Sequence, residues 1–202
     1  MKNKILVFLL SIISICCDKP ATKQANEKYD EINQIVLAII SQDSLNVYRN
    51  SKSSDQICNE LKRVLIEIPV KQRNGSIYPA AWGNIYITDL LTQKIGNETF
   101  FKKEDSLTLI KQNSSPKKIN IHHKILDRLA STTREKEKEK SKIGAKYGYY
   151  EMSIPLFSKD GKKAYVELGY YCGGLCGNGK SFQLEKVSGN WKIINEWETW
   201  MS

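Results

Sequence analysis

Successive short runs after Gly144 alternate apolar and polar residues with period two, and this pattern constrains the fold more than any other part of the chain. Ile154 and Leu156, then Ala164, Val166 and Leu168, then Phe182 and Leu184, then Trp191 and Ile193 mark inward positions. In an extended strand alternate side chains point to opposite faces, so each run describes a strand with one buried side. Asp160-Gly161 and Ser188-Gly189-Asn190 separate the runs with residues that tolerate the backbone of tight hairpin turns. The expectation for 144–202 is an antiparallel β-meander of about four strands.

The preceding chain reads differently. Tyr29, Ile32, Val36, Ile39 and Ile40 recur at helical spacing and predict an amphipathic helix over 26–41. Ser53 and Gln56 have capping-box spacing; with Ile57, Leu61, Val64, Leu65 and Ile68 on one face and Pro69 as a stop, they predict a second helix. Cys58, beside that face, reads as a buried thiol. "ITDLLTQKIGN" is expected to be a short helix closed by Gly96, "EDSLTLIKQN" another, and "INIHHKILDRLAS" a strand entering a helix. The charge run "TREKEKEKSK" at 133–142 describes a solvated helix end or loop. Residues 26–143 are therefore expected to be mainly helical. The whole is an α+β domain over 26–202, with N-terminal helices packed on the C-terminal sheet.

The beginning of the chain, "MKNKILVFLLSIISICC", has the parts of an export signal: Lys2 and Lys4, then an apolar run from Ile5 to Ile15. That run falls short of the roughly 20 apolar residues of a membrane-spanning helix. An apolar run ending in cysteine resembles the lipobox of bacterial lipoproteins, which implies a lipid-bearing cysteine. Cys17 is the expected site, because small Cys16 precedes it, whereas bulky Ile15 precedes Cys16. Ser14 departs from the usual leucine of that pattern. Polar residues 18–25 then read as a tether between lipid and domain. The resulting localisation is a bacterial cell envelope, outside the cytoplasm.

The stretch "CGGLCGNGKS" at 172–181 contains a literal G-x-x-x-x-G-K-S. A phosphate-binding loop of that type must lead into a helix N-terminus, whose amides hold the phosphates. Here "SFQLEKVSGNWKI" continues as strand and hairpin, so no nucleotide is expected and Lys180 reads as an exposed lysine at a strand start. Cys172 and Cys176 are instead expected to form a disulfide bracing a glycine-rich hairpin loop in an oxidising compartment. Cys-x-x-x-Cys lacks the usual redox spacing and, without two further ligands, a zinc set; no metal or cofactor is anticipated.

The net charge of +9 is spread through the chain, with no basic stripe interleaved with aromatics such as a nucleic-acid groove needs. Anionic lipid headgroups or surface polymers fit it better. His122 and His123 are adjacent, hence poorly placed to chelate together, and no strong catalytic motif accompanies them. Tyr147, Tyr149, Tyr150, Tyr170, Tyr171, Trp191, Trp197 and Trp200 crowd the last third, where one sheet face has the makings of a platform for sugars or peptides.

Two recurring elements are present in this region, Cys172-Gly173-Gly174-Leu175-Cys176-Gly177 and Gly189-Asn190-Trp191-Lys192-Ile193. Together with the strands around them they resemble the C-terminal half of a group of uncharacterised bacterial secreted proteins and lipoproteins. The resemblance covers about the last 55 residues. It implies the meander and its loop as a unit, and supplies neither an activity nor a catalytic residue. The expected function is thus a non-catalytic, lipid-anchored envelope protein that holds a surface polymer, sugar or protein partner on the aromatic face. The alternative is an envelope hydrolase with dispersed residues, such as His122 paired with a carboxylate.

Overall fold

The computed structural model describes residues 21–51, 55–81, 83–114, 116–145 and 147–202. Cys17, the export signal and Ser53 lie outside the described residues. In chain order the elements are helix α1 (Ala21–Gln42), strands β1 (Gln56–Cys58), β2 (Glu60–Lys62), β3 (Leu65–Glu67) and β4 (Asn84–Tyr86), helix α2 (Ile87–Thr92), and strands β5 (Lys94–Ile95) and β6 (Glu98–Thr99). A 3-10 turn (Lys103–Asp105), helix α3 (Ser106–Lys111), strand β7 (Lys118–Asn120), helix α4 (His123–Leu126), strand β8 (Ser131–Thr132) and helix α5 (Arg134–Lys142) follow. Strands β9 (Tyr149–Met152), β10 (Leu156–Phe157), β11 (Lys163–Gly173), β12 (Cys176–Val187) and β13 (Asn190–Met201) complete the chain. The class is α+β, as the two sequence periodicities predict.

The main sheet has the order β13-β12-β11-β9-β1-β8, with β10 paired to β11 below β9. β11, β12 and β13 form the expected antiparallel meander, whereas β1 enters between β8 and β9 in parallel with both. The first predicted strand is broken at Ile154-Pro155. Proline has no ladder donor, and the Ile154 amide leaves the sheet to bond the Lys62 carbonyl at 2.7 Å. Ile154 and Leu156 consequently join different cores.

Helix α1 covers one sheet face. Ile32, Ile35, Val36, Ile39 and Ile40 are at most 2% exposed and pack on Ala164, Val166, Leu168, Phe182 and Leu184. Burial of each aliphatic side chain stabilises by about 1.5–3 kcal/mol. The far end of α1 is docked by Gln42, whose amide donates to the Trp191 carbonyl and accepts from the Ile193 amide, both at 2.9 Å. At its middle, Glu31 receives both the Trp191 indole N–H (2.8 Å) and the Lys186 ammonium (2.5 Å). The helix begins at Ala21, so residues 21–25 belong to it rather than to a free tether.

The predicted second helix is not formed. Its apolar residues are divided among β1, β2 and β3, where Ile57 pairs with Ser131 and Tyr150, Leu61 with Ile119, and Ile66 with Ile85. Distant partners override the local helical spacing, because each short strand satisfies its backbone on a different segment. Strands β1 to β8 all fall within 26–143, which corrects the mainly helical expectation to a mixture. Gly96 does not end α2; at φ 60° it turns the β5–β6 hairpin.

A second core covers the lower half of the other sheet face. Ile66, Ile87, Leu90, Phe100, Phe101 and Leu109 pack there on Leu156 and Tyr165. Two half-buried amides and one buried carboxylate fix this layer. Gln112 exchanges two 3.0 Å hydrogen bonds with the Phe157 backbone, Asn113 bonds both backbone groups of Ile66, and Asp105 accepts from the Lys102 and Lys159 amides at 2.8 Å.

Candidate functional site

The register of β11 with its neighbours decides what lies on the uncovered upper half of that second face. Glu167 is opposite Ser181, Gly169 opposite Gly179 and Tyr171 opposite Gly177 on β12, while Glu151 and Tyr149 of β9 flank Gly169 and Tyr171. On β13 strict alternation would put Trp197 and Trp200 on opposite faces, since they are three residues apart. A register shift between Gly179 and Lys180, opposite Glu198 to Trp200, inserts an extra residue and returns Trp200 to the face of Trp197. A cleft of about 420 Å³ results, bounded among others by Lys62, Arg134, Glu151, Glu167, Tyr171 and Trp200.

Gly169 lies in its floor, and Tyr171 and Trp200 stand within a lining that is otherwise largely polar and charged. A Cβ at Gly179 would stand 2.5 Å from Trp200 Cδ1, one at Gly177 3.1 Å from Cζ3, and one at Gly169 2.9 Å from Tyr171 Cε2. Only hydrogen at these positions lets the indole and the phenol lie down on the sheet, with their outer faces turned away from it. Tyr147, Tyr149, Tyr171 and Trp200 thus form a row across the strands, with centroids 6.3, 5.4 and 5.5 Å apart and planes inclined by 39°, 27° and 38°. Tyr149, Tyr171 and Trp200 are half-buried, leaving part of each ring accessible.

Charged groups stand beside the rings. Glu151 accepts from Arg134 Nε at 2.6 Å and also from Nη2, with Lys62 Nζ 3.5 Å away. Burial and the Glu151 charge push the Tyr149 hydroxyl up to about 12, and the same two causes raise Tyr171, so both remain hydrogen-bond donors. Deeper in, the Tyr165 hydroxyl donates to Glu167 at 3.0 Å and lies 2.8 Å from the Ser181 hydroxyl. Burial raises the Glu167 carboxyl above its ordinary value, against the smaller opposing effect of the Tyr165 bond.

The charge run forms helix α5 and is largely solvated as expected, but Glu137 is buried and anchors it, which brings Arg134 to the cleft. Glu137 is 1% exposed; it accepts from Thr132 Oγ1 at 2.5 Å and Lys140 Nζ at 2.8 Å, and Lys140 also donates to Gln56. Thr133 caps the helix by accepting from the Lys136 amide. Buried Cys58 has a free thiol, pushed up to about 12 by burial first and Glu151 next.

Cys172 and Cys176 are disulfide-bonded, with Cα atoms 5.1 Å apart, and close the tip of the β11–β12 hairpin. Leu175 between them is 90% exposed. The G-x-x-x-x-G-K-S match runs from this tip into β12 with no helix after it. Lys180 is not an ordinary exposed lysine: its ammonium bonds Asp43 at 2.7 Å and lies 3.7 Å from Glu196. His122 stands outside the cleft as the cap of α4, accepting from the Lys124 amide and lying beside Tyr29 and His123. Of the aromatics, Trp191 is core and Tyr150 and Tyr170 pair on the α1 face, with centroids 4.7 Å apart. The cleft residues Lys62, Arg134, Glu151 and Glu167 carry no sequence motif; the one available signal was a carboxylate next to inward-facing residues, at Glu151 and Glu167.

Among the described residues no cluster of three or more His, Cys, Asp or Glu could hold a metal ion, and no helix is long and apolar enough to cross a membrane. Compared with protein-family models, curated proteins and solved structures, the chain matches none of them.

Proposed function

We propose that the chain is a bacterial envelope lipoprotein, anchored through lipid on Cys17, whose aromatic cleft holds a saccharide chain of a surface polymer. The observation that carries the ligand class is the glycine-floored row of Tyr149, Tyr171 and Trp200. Flat ring faces suit the C–H faces of pyranose sugars. Glu151, Lys62 and Arg134 at the edge of the row supply acceptors and donors for hydroxyl groups. Such a protein needs no catalytic group.

Titration of the chain with a panel of soluble cell-wall and capsular oligosaccharides, followed by indole fluorescence and calorimetry, tests this. Saturable binding by at least one glycan, weakened about tenfold or more in Trp200→Ala and Tyr171→Ala, is expected. A wild-type chain that binds none, or variants that bind as wild type, overturn the reading. Cell fractionation tests the anchor separately. Cys17→Ala is expected to move the protein from membranes to the soluble fraction, and continued membrane residence contradicts lipidation.

One observation favours a second reading, hydrolysis of the bound glycan. Glu167, whose carboxyl burial raises above its ordinary value, and Glu151, paired with Arg134, face the same cleft from neighbouring strands. Two carboxyl groups in unlike environments suit acid and base roles. Release of reducing ends by the wild type but not by Glu167→Gln supports that reading. Binding without turnover rejects it.

A further inference from the structure

A second cavity, of about 420 Å³, lies on the other side of Arg63 from the aromatic cleft, between α1 and the β9–β10 connection. Ile32, Ile119, Ile154, Pro155 and Leu156 make its wall apolar. Its polar lining is limited to Lys28, Tyr29, Arg63 and Gln112, with no carboxylate among the described residues that line it. Two of these four are already satisfied. The Tyr29 hydroxyl donates to the Asn120 carbonyl at 2.9 Å, and the Gln112 amide is spent on Phe157 and Thr108.

The two cations have no side-chain acceptor among the described residues. Arg63 is half-buried, and its Nη1 is closed off from solvent without a hydrogen-bond partner among the described residues. The guanidinium makes none of the ion pairs among the described residues, and neither does the Lys28 ammonium. The nearest favourable contact of Lys28 is the Phe157 ring, 5.8 Å from Nζ to centroid. Lys28 as a whole is exposed, and partial desolvation of its ammonium beside the apolar wall lowers its pKa. A guanidinium nitrogen closed off from solvent with no acceptor calls for an explanation, and solvent-exposed Lys28 stands beside it.

We infer that this cavity binds a single-chain anionic amphiphile, a fatty acid whose carboxylate is held by Arg63 and Lys28 and whose acyl chain lies against Ile32, Ile119, Ile154 and Leu156. An anion satisfies both cations at once. An apolar tail satisfies the wall, which a sugar or a nucleotide does not. The volume is at the lower end of the roughly 300–1,000 Å³ typical of small-ligand sites, which favours one chain over two. Arg63 offers a planar fork suited to a carboxylate, and Lys28 adds a second, mobile donor.

Calorimetric titration of the full chain carrying Cys17→Ala, kept free of detergent, tests the inference with ligands of one tail length: decanoate, decanol, decyl phosphate and decyltrimethylammonium below their aggregation concentrations. Saturable one-to-one binding of decanoate is expected, with decanol at least about tenfold weaker and the cationic amphiphile not bound. Arg63→Met and Lys28→Met are each expected to lose about tenfold for decanoate while leaving decanol unchanged, and Ile119→Trp, which fills the cavity, to abolish both. Equal affinity for decanoate and decanol, or no saturable decanoate binding, overturns the proposal. Decyl phosphate binding tenfold tighter than decanoate overturns the carboxylate as headgroup and points to a phospholipid source. The headgroup comparison uses one folded protein and stands even where a variant fails to fold.

Discussion

The indole of Trp200 occupies the space in which Gly179 would carry a side chain: a Cβ there would be 2.5 Å from Cδ1 and 2.6 Å from Cε2. Gly179→Ala is therefore expected to lift the ring from the sheet and cost about 1–3 kcal/mol, the range of overpacking substitutions. Gly174→Ala is the control, since a Cβ at Gly174 meets nothing within 4 Å. It should leave stability unchanged or raise it slightly by restricting the unfolded chain. Urea unfolding of both variants, followed by tryptophan emission, checks the pair: a red shift and a lower midpoint belong to Gly179→Ala alone.

The disulfide and the free thiol should behave oppositely. Reduction, or Cys172→Ser, opens the hairpin tip and is expected to lower stability by about 2 kcal/mol, the chain-entropy value for so short a loop. Cys58 is 2% exposed, with its thiol pushed up to about 12, so it should resist iodoacetamide at pH 8 until the chain is unfolded. Urea unfolding reads the first, and peptide mapping with and without denaturant reads the second. Rapid alkylation of Cys58 in the folded protein contradicts the packing of β1.

Glu137 holds α5 to the sheet through Thr132 and Lys140. Glu137→Ala leaves the buried Thr132 hydroxyl without its acceptor, removes one of the two acceptors of Lys140, and is expected to cost about 1–3 kcal/mol. It should also weaken glycan binding, because α5 carries Arg134 to Glu151. Lys142→Ala, which breaks the exposed ion pair with Glu139 on the same helix, is expected to change stability by no more than about 0.5 kcal/mol. Equal effects of the two substitutions, measured by thermal unfolding, refute the anchoring role.

Burial gives the Glu167 carboxyl a higher pKa in the folded chain than the ordinary 4.5. Between those two values the folded chain holds a proton that the unfolded chain has released, so stability falls as pH rises through this window and levels off above it. Glu167→Gln, which cannot ionise, is expected to flatten that part of the pH profile. The measurement is the difference in unfolding free energy between wild type and variant from pH 4 upwards. A difference that does not change with pH removes the linkage.

How much of this was legible before folding differs from element to element. Helix α1 and the β11–β13 meander were readable because their periodicities are local consequences of burying one face, and Asp160-Gly161 and Ser188-Gly189 carry turn chemistry of their own. The stretch from Ile57 to Ile66 was misread because its apolar spacing satisfies a helix as well as three short strands. The deciding terms were partners many residues away, at Ser131, Ile119 and Ile85. Arg134, Glu151, Glu167 and Lys62 look like ordinary surface charges in one dimension, and no spacing rule joins them.

By itself the sequence determined the α+β class, the position of the meander, the closing of its tip by Cys172 and Cys176, and the absence of a helix behind the G-x-x-x-x-G-K-S match. All of these follow from interactions between near neighbours. Tertiary structure alone decided the site. A one-residue shift in β13 turns Trp200 onto the face of Tyr171, glycines on two strands make room for their rings, and a buried Glu137 brings in Arg134. The physical reason is that sheet register and face are properties of strand pairs: one extra residue in a ladder reverses the direction of every side chain beyond it, which no single strand's sequence encodes.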